Sequence, residues 1–281
     1  MPLSIMPLGL PLPACGTALP PLLHDADFDD AGHRLFVLGD EARATHLLFG
    51  SGRLVSLPEP LAGCAARLHA PDEAFVIGWR GARSSGTVTA GFVGETGATR
   101  PFFYDGAPPL SVLCTGAFVV LGFGDDFVHS SDPVASEGLV VLDLEGTILW
   151  GWNSSVREVD FIDDCEAIVR LDGNLIGVCP GYSEPLTMLD VAAGRLRAVH
   201  HPLPQELRPV RAISARDDTW YFVSLGEDPN TVFAWCPEDR HARSGKPARI
   251  GCLSPDRRYR GLPNGRFLGV GRHDAVLVEP S

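Results

Sequence analysis

The chain has 281 residues, 45% of them hydrophobic, which is enough to build a substantial core and excludes intrinsic disorder as the default state. Its 35 acidic and 23 basic residues give a formal net charge of −12, and Lys246 is the only lysine, a balance that repels a phosphate backbone and excludes nucleic acid as the first partner to consider. No apolar run approaches the ~18 residues of a membrane span.

The N-terminal stretch MPLSIMPLGLPLPAC is apolar, but it lacks a positive n-region and is interrupted by Pro2, Pro7, Pro11 and Pro13. It therefore reads as a strand retained in the fold rather than an export signal. From there the chain alternates short apolar strands with turns rich in Gly, Asp and Asn. Six segments stand out as central strands: RLFVLG (34 to 39), AFVIGW (74 to 79), AFVVLGFG (117 to 124), NLIGVC (174 to 179), TWYFVSLG (219 to 226) and RFLGVG (266 to 271). Each follows a turn such as DDAGH, LDGN or LPNG, whose residues accept positive φ or bond locally to the backbone. Before several of these turns lies another strand candidate, as in ARLHA (66 to 70), SVLCT (111 to 115), AIVRL (167 to 171) and VRAIS (210 to 214). Helical periodicity is weak throughout, and the best stretch, near Pro204 to Leu207, is too short to count.

A second hairpin recurs as HLLFGSGRLVSL, AGFVGETGATRPFF, VVLDLEGTILWGW and TMLDVAAGRLRAV, with turn glycines Gly52, Gly97, Gly146 and Gly194 spaced by 45, 49 and 48 residues. A unit of four strands repeated at that period predicts an all-β fold, a single β-propeller with six blades of four antiparallel strands. The last repeat has only three strands, so SIMPLGL near the N-terminus is expected to supply the fourth and close the ring. Expected blades run 22–60, 61–105, 106–153, 154–202 and 203–253, with 254–281 joined by residues 1–10 as the sixth, so that 1–281 is one domain.

Seven cysteines, at 15, 64, 114, 165, 179, 236 and 252, are scattered with no C-x-x-C pair and read as reduced thiols of a cytoplasmic protein. On a repeat scaffold, binding chemistry is expected where the repeat is interrupted. The longest interruption, Gly124 to Gly138, contains Asp125, Asp126, His129, Asp132 and Glu137, a set able to hold a hard cation or meet a basic partner. Asn153 to Glu166 adds Glu158, Asp160, Asp163 and Asp164. GYSEP (181 to 185) adds Tyr182 and Glu184, and GEDPN (226 to 230) adds Glu227 and Asp228. Loops between the second and third strands, and between blades, gather on one face of a propeller, so these acids are expected to converge.

The cluster HDADFDDAG, His24 to Gly32, fails the calcium-loop pattern: Asp30 stands where the turn glycine belongs and Phe36 where the bidentate Glu belongs. It reads as a strand followed by an Asp-rich turn. There is no H-E-x-x-H or G-x-S-x-G, and Gly245-Lys246 is followed by Pro247 rather than Ser or Thr. Trp79, Trp152, Tyr182 and Trp235 are expected to be mostly packing residues.

The form D-x-x-G-x-x-x-W, Asp143 to Trp150, resembles the blades of bacterial six- to eight-bladed propellers of the quinoprotein-like and NHL-like groups. Val159 to Asp190 is similar to a class of bacterial cytosolic propeller-like proteins. The resemblance implies architecture and carries over no catalytic residue and no cofactor. The expected function is non-enzymatic: an acidic loop face that engages a basic protein partner, for instance as an immunity protein covering a toxin, on a chain monomeric by itself. Two alternatives stay open. One is a metal-dependent hydrolase or lactonase with a divalent cation in the central channel, held by carboxylates from at least three blades. The other is a small-molecule or glycan-binding module.

Overall fold

The computed structural model describes residues 3–9, 22–81, 87–157, 161–180, 185–200, 203–237 and 246–280. After β1 (Leu3–Leu8), the chain lays down blade 1 as β2 (Leu22–Phe28), β3 (Arg34–Gly39), β4 (Ala44–Phe49) and β5 (Leu54–Leu61). Blade 2 is β6 (Gly63–Ala70), β7 (Glu73–Trp79), β8 (Val88–Gly94) and β9 (Thr99–Pro101); blade 3 is β10 (Ser111–Cys114), β11 (Val119–Gly122), β12 (Leu139–Leu142) and β13 (Ile148–Gly151). Blade 4 is β14 (Ala167–Arg170), β15 (Leu175–Cys179), β16 (Leu186–Asp190) and β17 (Arg195–His200). Blade 5 is β18 (Val210–Arg216), β19 (Thr219–Ser224), β20 (Thr231–Trp235) and β21 (Ala248–Cys252), and β22 (Arg258–Gly261), β23 (Phe267–Val270) and β24 (Ala275–Pro280) begin blade 6.

Each blade is a four-stranded antiparallel sheet in chain order, and the sixth is completed by β1. The pairing of β1 with β24 runs from Leu3 opposite Pro280 to Leu8 opposite Ala275, so the ring is closed between the two ends of the chain as the three-stranded last repeat required. The turn glycines obey the repeat as well: Gly52, Gly97, Gly146 and Gly194 have φ of +89°, +86°, +97° and +57°, the left-handed region that an L side chain rarely adopts.

The central strands are apolar on both faces because neighbouring blades cover both. Residues Leu35 to Leu38 of β3 and Val119 to Gly122 of β11 are buried without a break. By contrast β17, an outermost strand, alternates exposed and half-buried positions. Among the described residues the buried apolar side chains fall into six clusters, one at each blade–blade contact. Phe75, Phe92, Phe102 and Leu121 fill the contact of blades 2 and 3, and Phe36, Leu48, Leu268 and Leu277 that of blades 6 and 1. Trp152 and Trp235 lie in such clusters, 1% and 9% exposed, as the packing expectation requires. No helix among the described residues is long and apolar enough to cross a membrane.

Candidate functional site

Two of the interruptions meet. After β11 the chain makes the one-turn helix α1 (Asp125–Val128) and a 3-10 turn (Ala135–Glu137); after β13 it makes α2 (Trp152–Ser155). Side chains knit these segments together. Asn153 donates from Nδ2 to Ser136 O at 2.9 Å and to Ile162 O at 3.1 Å, while its Oδ1 accepts from Ile162 N at 2.8 Å. Glu137 Oε2 accepts from Ser154 N at 2.8 Å. Across the top, the His129 ring stacks on Phe161, with centroids 6.1 Å apart and 17° between planes, and His129 Nε2 lies 3.4 Å from Asp163 Oδ1. The convergence expected of the 124–138 and 153–166 loops is therefore present at blades 3 and 4.

The acids within it divide by role. Asp132 is a scaffold residue: Oδ1 accepts from Val134 N at 2.8 Å and Ala135 N at 3.0 Å, and Oδ2 accepts from Ala107 N at 2.6 Å. Glu137 is committed to the adjoining loop, and Asp164 is half-buried. Asp125, Asp126, His129 and Asp163 remain exposed, beside Phe161, which is 48% exposed. Glu158, Asp160, Tyr182 and Glu184 lie outside the described residues. Glu227 and Asp228 sit in the loop between β19 and β20, at the same end of the strands but on blade 5, where Asp228 pairs with Arg249 at 2.8 Å. They border a cleft of about 640 Å³ with Glu206, Arg208 and Phe233.

The centre of the ring holds a charge network that the one-dimensional reading did not find. Asp25 and Asp27, two apart on β2, point to the same side. Asp25 Oδ2 accepts from Arg67 Nη1 at 2.6 Å and from Ala66 N at 3.0 Å; Asp27 Oδ2 accepts from Leu68 N at 2.6 Å, and its Oδ1 accepts from Arg260. Arg67 also donates to Val112 O at 2.8 Å and Arg260 to Ala26 O at 2.8 Å, so the inner strands of blades 6, 1, 2 and 3 are tied by one belt. Burial by itself would raise the Asp25 carboxyl, but the Arg67 and Arg260 guanidiniums and the Ala66 N–H outweigh it and hold the group below its ordinary value. Asp25 and Asp27 lay inside the Asp-rich cluster, yet nothing in their spacing names Arg67 or Arg260 as partners. The one available signal is an arginine at an otherwise apolar inner-strand position.

Elsewhere the inner strands crowd together: a Cβ on Gly261 would stand 1.6 Å from Ile213 O and 3.3 Å from Val169 Cγ2. The carboxylates of the network come from one strand and are held by arginines, whereas the channel-metal alternative needs them from three blades. No group of three or more His, Cys, Asp or Glu able to share a metal ion occurs among the described residues. On the inner strands, burial first, then Asp25 for Cys64 and Asp27 for Cys114, pushes both thiols up to about 12, which keeps them protonated and weakly nucleophilic at neutral pH.

No family model and no curated protein matches the chain. Solved structures do. A streptogramin B lyase structure aligns over 99% of this chain and 97% of its own, with a TM-score of 0.53 and 11% identity. The β-propeller domain of Cps50 (Swd1) from Myceliophteria thermophila aligns over 92% of this chain and 83% of its own, with a TM-score of 0.51 and 10% identity. Hydrazine synthase of Kuenenia stuttgartiensis aligns over 94% and 84%, with a TM-score of 0.53 and 11% identity. At such identities the likeness is one of fold, and this chain is a six-bladed β-propeller.

Proposed function

We propose that the protein is a binding propeller whose loop face at blades 3 and 4 docks a basic protein partner. The observation that carries this reading is the joining of the 124–138 and 153–166 loops into one platform, cross-bonded through Asn153 and Glu137. The platform presents Asp125, Asp126 and Asp163 around the exposed His129–Phe161 stack. An apolar ring among unburied carboxylates is suited to an arginine- or lysine-bearing surface, with the net charge of −12 adding long-range attraction. A toxin is one kind of basic partner, and the reading does not depend on it.

The test is affinity capture at low and at physiological salt. Native protein is compared with D125K/D126K/D163K and with a control carrying three reversals on the opposite face, D172K/D217K/D218K. The reading expects a stoichiometric, salt-sensitive partner kept by native protein and by the control, and lost from the platform variant. Capture unaffected by the platform reversals, or no stoichiometric partner at either salt, overturns it.

A further inference from the structure

The inner wall of the ring is basic although the chain is acidic. The six inner strands, β2, β6, β10, β14, β18 and β22, carry six arginines, at 67, 170, 211, 216, 258 and 260, against two carboxylates, Asp25 and Asp27. The excess of acids that gives the chain its charge of −12 therefore lies outside these strands. Asp25 pairs with Arg67 and Asp27 with Arg260, whereas Arg170, Arg211, Arg216 and Arg258 form no ion pair among the described residues. Arg211 donates to the neutral Asn230 Oδ1 at 3.1 Å, and Arg216 to Pro280 O at 3.1 Å.

The positive charge is densest where β22, β2 and β6 meet. Arg258 is exposed and donates to a carbonyl, His24 O. Burial, then Asp25, pushes the Cys64 thiol up while Arg258 and Arg67 oppose the rise, so guanidiniums from β22 and β6 converge there across β2. Burial and then the Arg67 charge lower Arg260 below its ordinary value, and its Nε is buried without a hydrogen-bond partner. The Arg67 side chain is 9% exposed; its Nε and Nη1 are engaged by Val112 O, Ala66 O and Asp25, and its Nη2 bonds nothing among the described residues. Three guanidiniums gathered around two carboxylates, with donors unused, lack one negative charge. The low-dielectric wall of the ring focuses that field inward.

We infer that the centre of the ring binds a small monovalent anion, held between Arg258 and Arg67. Arg260 Nε is closed off by packing, so the anion stabilises Arg260 through space rather than by direct contact. The site stands independently of the acidic platform and its partner.

Chloride is the probe, followed by the chlorine-35 line width as sodium chloride replaces sodium gluconate at constant ionic strength around the full chain. Saturable excess broadening is expected. In R258M, which removes an exposed side chain and whose fold is checked by its urea midpoint, chloride affinity should fall about tenfold or more with the loss of one charge-assisted contact. R249M removes an arginine of the outer strand β21 that pairs with Asp228, and should bind chloride as the native chain does. No saturable broadening, native affinity in R258M, or an equal loss in R249M overturns the inference.

Discussion

Arg260 and Asp27 are 233 residues apart in the chain and share a charge-assisted hydrogen bond where the last blade meets the first. Around that bond, Asp27 also reaches blade 2 through Leu68 N, while Arg258 donates to His24 O and Arg266 pairs with Asp30. The junction is thus held by polar bonds inside, in addition to the β1–β24 pairing at the outer edge.

Removing one member of this pair strands the other. The side chains of Arg260 and Asp27 are 22% and 10% exposed, so R260M leaves a poorly solvated carboxylate and should cost about 3 to 5 kcal/mol in urea unfolding. The double variant D27N/R260M should regain part of that loss, because neither charge is then left alone. Equal losses in the single and double variants would show that the pair is not coupled.

The same network sets the acid limit. The Asp25 carboxyl is held below its unfolded value, so its contribution to stability is fully present above pH 3.8 and is lost as pH falls from there through the folded value. The unfolding midpoint of the native chain should therefore fall steeply below about pH 4. In R67M the carboxyl lacks its main counter-charge and its folded value rises toward the unfolded one, so the variant should be less stable at pH 7 and should lose less than the native chain as the pH falls, the two midpoints drawing together in acid. Midpoints measured from pH 7 to pH 3 in both proteins decide it.

What the sequence made legible was local. A glycine turn dictates its own φ, and an unbroken apolar strand dictates two covered faces, so blade type and ring closure followed from Gly52, Gly97, Gly146, Gly194 and the three-stranded last repeat. The roles of the acids were not local. Asp132 and Asp125 lie in the same loop, yet one bonds three backbone N–H groups and the other stays in solvent; only folded geometry separates them. The partners of Asp25 and Asp27 arrive from other blades.

The repeated turn glycines should differ in cost when replaced. A Cβ on Gly52 meets nothing within 4 Å, so G52A pays only the left-handed backbone penalty of roughly 1–2 kcal/mol. A Cβ on Gly146 would stand 2.1 Å from Phe103 O, where the Phe103 N–H bonds Glu145 O, so G146A adds a backbone clash. Its loss in unfolding free energy should exceed that of G52A, and equal losses would mean that the Phe103 loop shifts at no cost.

Closure by β1 can be tested without shortening the chain. Replacing Leu3–Leu8 by a glycine–serine stretch of the same length removes the strand pairing and leaves β24, with its Ala-Val-Leu-Val run, as an open apolar edge. The variant should unfold at lower urea and show concentration-dependent self-association by light scattering. An unchanged monomer with an unchanged midpoint would remove β1 from the closure.

The integrity of the acidic platform rests on Asn153, because one side chain spans both loops with three hydrogen bonds. N153A leaves Ser136 O and Ile162 N and O without that partner and should cost about 1–3 kcal/mol if the groups stay buried. Part of this loss is avoided when the loops separate and the freed groups reach water. The sharper readout is therefore hydrogen exchange: protection should fall in residues 134–138 and at Ile162, while the central strands β11 and β15 keep theirs. Basic-partner capture should weaken in the same variant although no charge has changed, because Asp125 and Asp163 are no longer held in one arrangement. Retained protection at Ile162 together with lost capture would locate the effect of Asn153 at the partner contact instead of in the scaffold.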